Sequence, residues 1–142
     1  MAIELRPVAG ETELSDPAVT GQFAPEMAAL AAERQEPPWC GYVAWREGEP
    51  VGFVGFKGAP DERGEVEIGY LTFPRHEGGG VATAAAKGLV EIARAEGQRG
   101  VSAHTLCEPN ASTRVLEKCG FTRDGFGEDP DEGRVWRWIL ML

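Results

Sequence analysis

Positive charge is in short supply in this sequence. Fourteen lysines and arginines face 23 aspartates and glutamates, a formal net charge of −9. Nonspecific nucleic-acid binding runs on basic surface that displaces counterions from phosphates, so it is excluded as a main activity. Adsorption to an anionic membrane is disfavoured on the same ground, whereas an acidic surface tolerates a cationic or amine ligand. Metal-ligating side chains are also scarce. Only His76 and His104 occur, and Cys40, Cys107 and Cys119 are widely spaced with no CxxC pair. Zinc sites need clustered Cys and His, so no metal is expected. Reduced, mostly buried thiols in the cytoplasm are the expectation. No apolar run nears membrane-spanning length, and Met1-Ala-Ile-Glu-Leu-Arg lacks the basic and apolar regions of a signal peptide.

Glycine, by contrast, is concentrated where it matters. The stretch from Gly64 alternates as a strand to Phe73, breaks at Pro74, and reaches Gly78-Gly79-Gly80 before an alanine-rich helix that ends at Gly97. Consecutive glycines at a strand-to-helix junction let backbone N–H groups converge on an anion at the helix N-terminus, where the macrodipole favours negative charge. A phosphate-bearing cofactor is therefore expected there. Two familiar phosphate loops fit poorly. A dinucleotide-binding GxGxxG follows a first strand, whereas this loop follows the fourth, and a Walker-type loop ends in Gly-Lys-Ser/Thr, which is absent.

The 142 residues suffice for one domain with a real core. Residues 2–8 read as a strand and 11–34 as helix in two pieces, with Pro25 suited to a first helical turn and Met27, Leu30 and Ala31 at helical spacing. Trp39–Trp45 and Val51–Phe56 read as a hairpin about a turn at Arg46–Pro50. Glu65–Phe73 follows, with Val66, Ile68 and Tyr70 on one side and Glu67, Leu71 and Phe73 on the other. Val81, Ala85, Leu89, Ile92 and Ala93 form one helical stripe. Val101–Cys107 reads as a strand. Asn110 caps a helix over Ala111–Cys119, which Gly120 and Phe121 close. A strand near Phe121, a loop rich in Asp and Glu, and a strand over Arg134–Leu140 complete the chain. This predicts a mixed α/β fold over residues 1–142 with helices on both faces of the sheet.

Three segments carry a resemblance. Glu67-Ile-Gly-Tyr-Leu-Thr-Phe-Pro, Glu77-Gly-Gly-Gly-Val-Ala-Thr-Ala-Ala and Asn110-Ala-Ser-Thr-Arg-Val-Leu-Glu-Lys-Cys-Gly-Phe occur in this order. Together they resemble the GNAT superfamily of acetyl-CoA-dependent N-acetyltransferases, leaning toward the branch of ribosomal-protein alanine N-acetyltransferases. The resemblance implies a mixed, mostly antiparallel sheet of about seven strands. It also implies acetyl-CoA as cosubstrate and direct attack by a primary amine, on a small molecule or a protein N-terminus. Glu77 stands where the family usually has Gln or Arg, with Arg75 or His76 as candidate positive partners.

By the same resemblance Gly78, Gly79, Gly80, Val81, Ala82 and Thr83 would hold the pyrophosphate. Leu71, Thr72 and Phe73 would pair by backbone with the pantetheine arm, the N–H of Leu71 serving as oxyanion donor. Glu67, about 13 Å along the strand from Leu71, is the candidate general base through a water chain, with Glu65 its competitor. Ser112 is the candidate acid toward the leaving sulfur, and Asn110 either caps its helix or also touches cofactor. His76 borders the loop and His104 lies on the acceptor side, structural roles being favoured for both; Cys107 and Cys119 are expected to be buried. Trp136, Trp138 and Leu140 share one side of the last strand, where a homodimer contact is expected. A noncatalytic acyl-CoA-binding module on the same fold is the alternative, and a nucleotide-binding enzyme a third reading.

Overall fold

The computed structural model describes residues 3–8, 16–25 and 36–142. Seven strands form one sheet in the order β1-β2-β3-β4-β5-β7-β6. They are β1 (Glu4–Pro7), β2 (Gly41–Arg46), β3 (Glu49–Phe56), β4 (Glu65–Thr72), β5 (Gly100–Thr105), β6 (Thr122–Asp129) and β7 (Gly133–Met141). Among the described residues the α-helices with both ends defined are α1 (Pro17–Thr20), α2 (Val81–Ala95) and α3 (Ala111–Lys118). Every neighbouring pair is antiparallel except β4–β5. The expected mixed, mostly antiparallel sheet is what forms.

That single parallel pair is also the shortest. β4 and β5 are in register only at Glu65–Gly100, Val66–Val101 and Glu67–Ser102. Beyond Glu67 the strands part, while β4 continues on β3 to Thr72. A sheet that opens in its middle exposes backbone polar groups along one strand, and such groups need partners. This gap positions everything that follows.

The core lies between the sheet and α2. Val81, Ala85, Ala86, Leu89, Val90 and Ala93 are the buried face of that helix, packed with Val66, Ile68 and Val101 of the sheet. The small residues Ala85, Ala86 and Ala93 let the helix sit close, and burial of the branched ones stabilises the contact by about 1.5–3 kcal/mol per side chain. On the opposite face a smaller cluster joins Val43 and Phe73 to Phe23, Trp45, Phe53 and Leu71. Gly97 and Gly120 close α2 and α3 with φ of +77° and +91°, and Phe121 donates back to the Leu116 carbonyl at 3.0 Å.

Some expectations need correction. The acidic stretch expected as a loop is mostly β6, whose Asp124, Glu128 and Asp129 lie on an edge strand kinked at Gly125. An edge strand with no buried face shows no apolar alternation, so its pattern is invisible. Cys107 is exposed rather than buried, because β5 ends at Thr105 and the chain has already left the sheet. Apart from these corrections, Trp138 is buried and donates from Nε1 to Thr105 Oγ1 at 2.9 Å, and the partly buried Trp136 has the Arg123 guanidinium 4.1 Å above its ring. Met27, Leu30 and Ala31 fall outside the described residues.

Candidate active site

Two clefts flank the gap and share Tyr70, Leu71 and Ser112. The first, about 520 Å³, runs between the glycine loop and α3. Its loop side is Glu77, Gly78, Gly80 and the first turn of α2 as far as Thr83. Gly78 and Gly80 both hold φ of +78°, a left-handed conformation that a side chain resists. That geometry turns the chain into α2 with Gly80 as an N-cap that offers no side chain. The first-turn N–H groups lack partners within their own helix, so they are donors waiting for an anion. The facing wall is α3, from which Arg114 and Lys118, one helical turn apart, line the cleft. An acidic protein thus places two cations across from its glycine loop. A diphosphate fits this donor set.

The phase of β4 decides which backbone groups enter the gap. Phe73 N–H donates to Val51 O at 3.0 Å, and Lys57 N–H to Glu67 O at 2.8 Å. Bonded pairs alternate in an antiparallel ladder, so Leu71, opposite Phe53, belongs to the same bonded set. The N–H of Leu71 therefore faces β3, not the gap, and the same holds for Phe73, whose side chain is fully buried. This corrects the expected oxyanion donor and the expected backbone pairing of Leu71 and Phe73. Tyr70 and Thr72 belong to the other set and turn their main chain toward the opening.

The second cleft, about 640 Å³, lies across β2, β3 and β4. Its charged and titratable members are Lys57 and His104, with Tyr70 at the junction. His104 is held from behind: its Nδ1 is 3.0 Å from Glu67 Oε2, and Lys57 Nζ is 3.6 Å from the same oxygen. Extending the β4–β5 register from Glu67–Ser102 puts His104 level with Gly69, nearer the junction than Glu67 by two residues. Room for the imidazole comes from β6, where a Cβ on Gly127 would lie 2.6 Å from His104 Nε2. Glu65, the competitor, is held by Arg137 at 2.8 Å.

Several expected residues fall elsewhere. Asn110 is a reciprocal cap with Thr113, its Oδ1 accepting from the Thr113 N–H at 3.0 Å, and it lines neither cleft. Gly79 is off the wall, turned toward His76 and Arg46. His76 is a structural tie, 3.1 Å from both Arg46 and Glu49. It therefore does not balance Glu77, which lies in the cleft beside Gly78. Tyr70 spans both clefts, donating from its hydroxyl to Ser112 O at 2.8 Å, and burial raises its pKa above the usual phenol value.

A family model described as an acetyltransferase (GNAT) domain matches residues 6–122. The chain belongs to the GNAT acetyltransferase family. Solved GNAT structures share its fold. An acetyltransferase from Bacillus anthracis superposes with a TM-score of 0.81 at 16% identity, covering 99% of this chain and 95% of that one. The microcin C7 self-immunity acetyltransferase MccE, solved with acetyl-CoA and AMP, gives 0.80 at 14%, covering 99% and 92%. RimL, a ribosomal L7/L12 N-acetyltransferase solved with coenzyme A, gives 0.65 at 18%, covering 72% and 61%. No curated protein matches the sequence. Within this GNAT domain no described group of His, Cys, Asp or Glu could hold a metal ion, and no described helix is long and apolar enough to cross a membrane.

The sequence reading missed Arg114, Lys118 and the placement of Tyr70. The two cations were visible as a four-residue spacing on a capped helix. Tyr70 gave no signal, because its role depends on where α3 docks.

Proposed function

We propose that this GNAT domain transfers the acetyl group of acetyl-CoA to a primary amine by direct attack. The observation that carries this is the meeting of two clefts at Tyr70, Leu71 and Ser112, where β4 and β5 part. One cleft suits a phosphate-bearing donor, and the other can admit a nucleophile to the same point. Acetyl transfer requires a positioned amine, stabilisation of the developing oxyanion and management of two protons.

In this reading the loop from Gly78 to Thr83 holds the pyrophosphate, with Arg114 and Lys118 adding charge from the opposite wall. Thr72 continues the ladder to the pantetheine arm as an added strand would. The outward main chain of Tyr70 and Thr72 supplies the oxyanion donor. The amine nitrogen bonds to the acetyl carbon, the carbon–sulfur bond breaks, and the sulfur leaves as thiolate. The proton lost by the ammonium goes toward His104, oriented by Glu67, and Ser112, which lines both clefts, is the candidate to return one to sulfur. A noncatalytic acyl-CoA-binding module remains the second reading, because Glu77 puts a carboxylate beside the loop. Calorimetry with acetyl-CoA and a thiol-release assay over a panel of amines test both. Micromolar binding with amine-dependent release of free CoA is expected; binding without release on any amine assigns the module instead.

A further inference from the structure

Resting on that reading, the second cleft describes the acceptor. Its walls are apolar: Trp39 and Phe53 stand partly exposed on it, and Phe56 backs Trp39 in a T-shaped contact at 5.0 Å. Its floor lacks side chains, because Gly41, Gly55 and Gly69 are paired in register across β2, β3 and β4. A Cβ on Gly55 would lie 2.8 Å from the Gly41 Cα, so this floor cannot be filled without moving a strand.

Among the described residues lining this cleft, Lys57 alone bears a fixed charge. Its position is set by Gly69: the Lys57 Cε lies 3.0 Å from where a Gly69 Cβ would be, so the stem lies down across the floor. The ammonium reaches Glu67 only at 3.6 Å, longer than the roughly 2.7–2.9 Å of a charge-assisted hydrogen bond. Its side chain is 55% exposed, so it is available to a better partner. Gly69 and Leu71 are two residues apart, about 7 Å along the strand. That span sets the scale of the separation of a nitrogen at the junction from the ammonium above Gly69, and an anion seated between the two would lie closer to the nitrogen than this. Among the described residues lining this cleft, a polyamine or an aminoglycoside, with several ammonium groups, would meet the Lys57 ammonium, and the adjacent Glu67 carboxylate is already shared by Lys57 and His104.

We propose that the acceptor is a monoamine carrying an apolar, preferably aromatic, group and a carboxylate close to its nitrogen, the constitution of an apolar α-amino acid. The aromatic wall takes the side group, and Lys57 takes the carboxylate. This reverses the bias toward a polycation that the net charge of the chain suggests.

The test is thiol release from acetyl-CoA by the intact protein with five acceptors: phenylalanine, phenethylamine, phenylalaninamide, spermidine and kanamycin. Phenylalanine is expected to have the highest kcat/KM, at least tenfold above phenethylamine and phenylalaninamide. In Lys57→Ala the ratio of kcat/KM for phenylalanine to that for phenethylamine is expected to fall at least tenfold. Gly69→Ala, which lifts the lysine stem, is expected to lower the same ratio. Spermidine or kanamycin outperforming phenylalanine would overturn the acceptor class while leaving acetyl transfer standing. Equal use of phenylalanine and phenylalaninamide, or a ratio unmoved by Lys57→Ala in a protein that still melts cooperatively, would overturn the carboxylate contact. Tight acetyl-CoA binding with no release on any of the five would overturn this proposal; release on another amine would then leave acetyl transfer standing, and release on none would remove the catalytic reading as well.

Discussion

The two clefts are built from different materials. The donor side is mostly main chain drawn from continuous segments: the outward edge of β4, the loop from Glu77 to Thr83 and one face of α3. The acceptor side is side chains and gaps between them, contributed singly by strands far apart in sequence, such as Lys57 on the loop after β3 and His104 on β5. Main-chain donors cannot be deleted by truncating a side chain; they are damaged by adding one. A site made of side chains behaves in the opposite way. The contrast explains how one half can keep a fixed ligand while the other varies, since exchanging Trp39, Lys57 or His104 leaves the loop intact.

The largest effect should come from adding atoms on the donor side. Gly80→Asp places a carboxylate at a residue with φ of +78° at the head of α2. Repulsion between that carboxylate and phosphate should raise the Kd for acetyl-CoA by about 100-fold or more, a change of about 2.7 kcal/mol. The left-handed backbone costs a non-glycine residue about 1–2 kcal/mol, and Asp tolerates it better than most, so the fold should survive. Calorimetry beside a thermal melt separates the two effects. Undiminished affinity would mean that phosphates bind elsewhere.

Next in size is the acceptor side, probed by removal. Glu67→Gln and His104→Gln should each lower kcat by about 10²-fold at neutral pH, the lower end of what a general base contributes. In the proposed relay Glu67 acts through His104, 3.0 Å away, so the double variant should be scarcely worse than either single one. Raising the pH should restore part of the rate in both, as the free amine then arrives already deprotonated. Additive losses with no pH rescue would make the two residues independent structural supports.

The same contrast governs what could be read before folding. The glycine loop was legible because its residues are consecutive and their common property, absence of a side chain, has one physical use. The Asn110 cap was legible because its partner is three residues away. The Glu67–His104 pair joins residues 37 apart, and nothing short of the β4–β5 register brings them together. The direction of the Leu71 N–H was illegible for a subtler reason. Alternation assigns a side chain to a face, but which neighbouring strand receives the N–H depends on the bonded pair chosen with β3. The acidic stretch of β6 was misread because an exposed edge strand carries no buried face to betray it.

The smallest expected effect lies where the halves join. Tyr70 O–H donates to the Ser112 carbonyl at 2.8 Å and so ties β4 to the first turn of α3, fixing the spacing of the two clefts. Burial raises its pKa above the ordinary phenol value. The folded protein then keeps this proton to higher pH than the unfolded chain does. Its contribution to stability is whole below about pH 10, where the unfolded phenol titrates, and is lost as the pH climbs toward the folded value. Tyr70→Phe removes both the bond and the titration. At pH 8 it should cost about 1 kcal/mol in urea unfolding. Above pH 10 that deficit should shrink, because only the tyrosine protein still pulls against an ionising phenol. Tyr42, also buried and also raised, is present in both proteins, so its own alkaline slope cancels in the difference. A phenol already donating to a carbonyl and reluctant to ionise is a poor proton source for a thiolate. The accompanying fall in kcat should accordingly be less than about tenfold, well short of the loss expected for a general acid. A fall of several hundredfold would transfer the acid role from Ser112 to Tyr70, and would make the joint between the clefts, not either cleft, the centre of the chemistry.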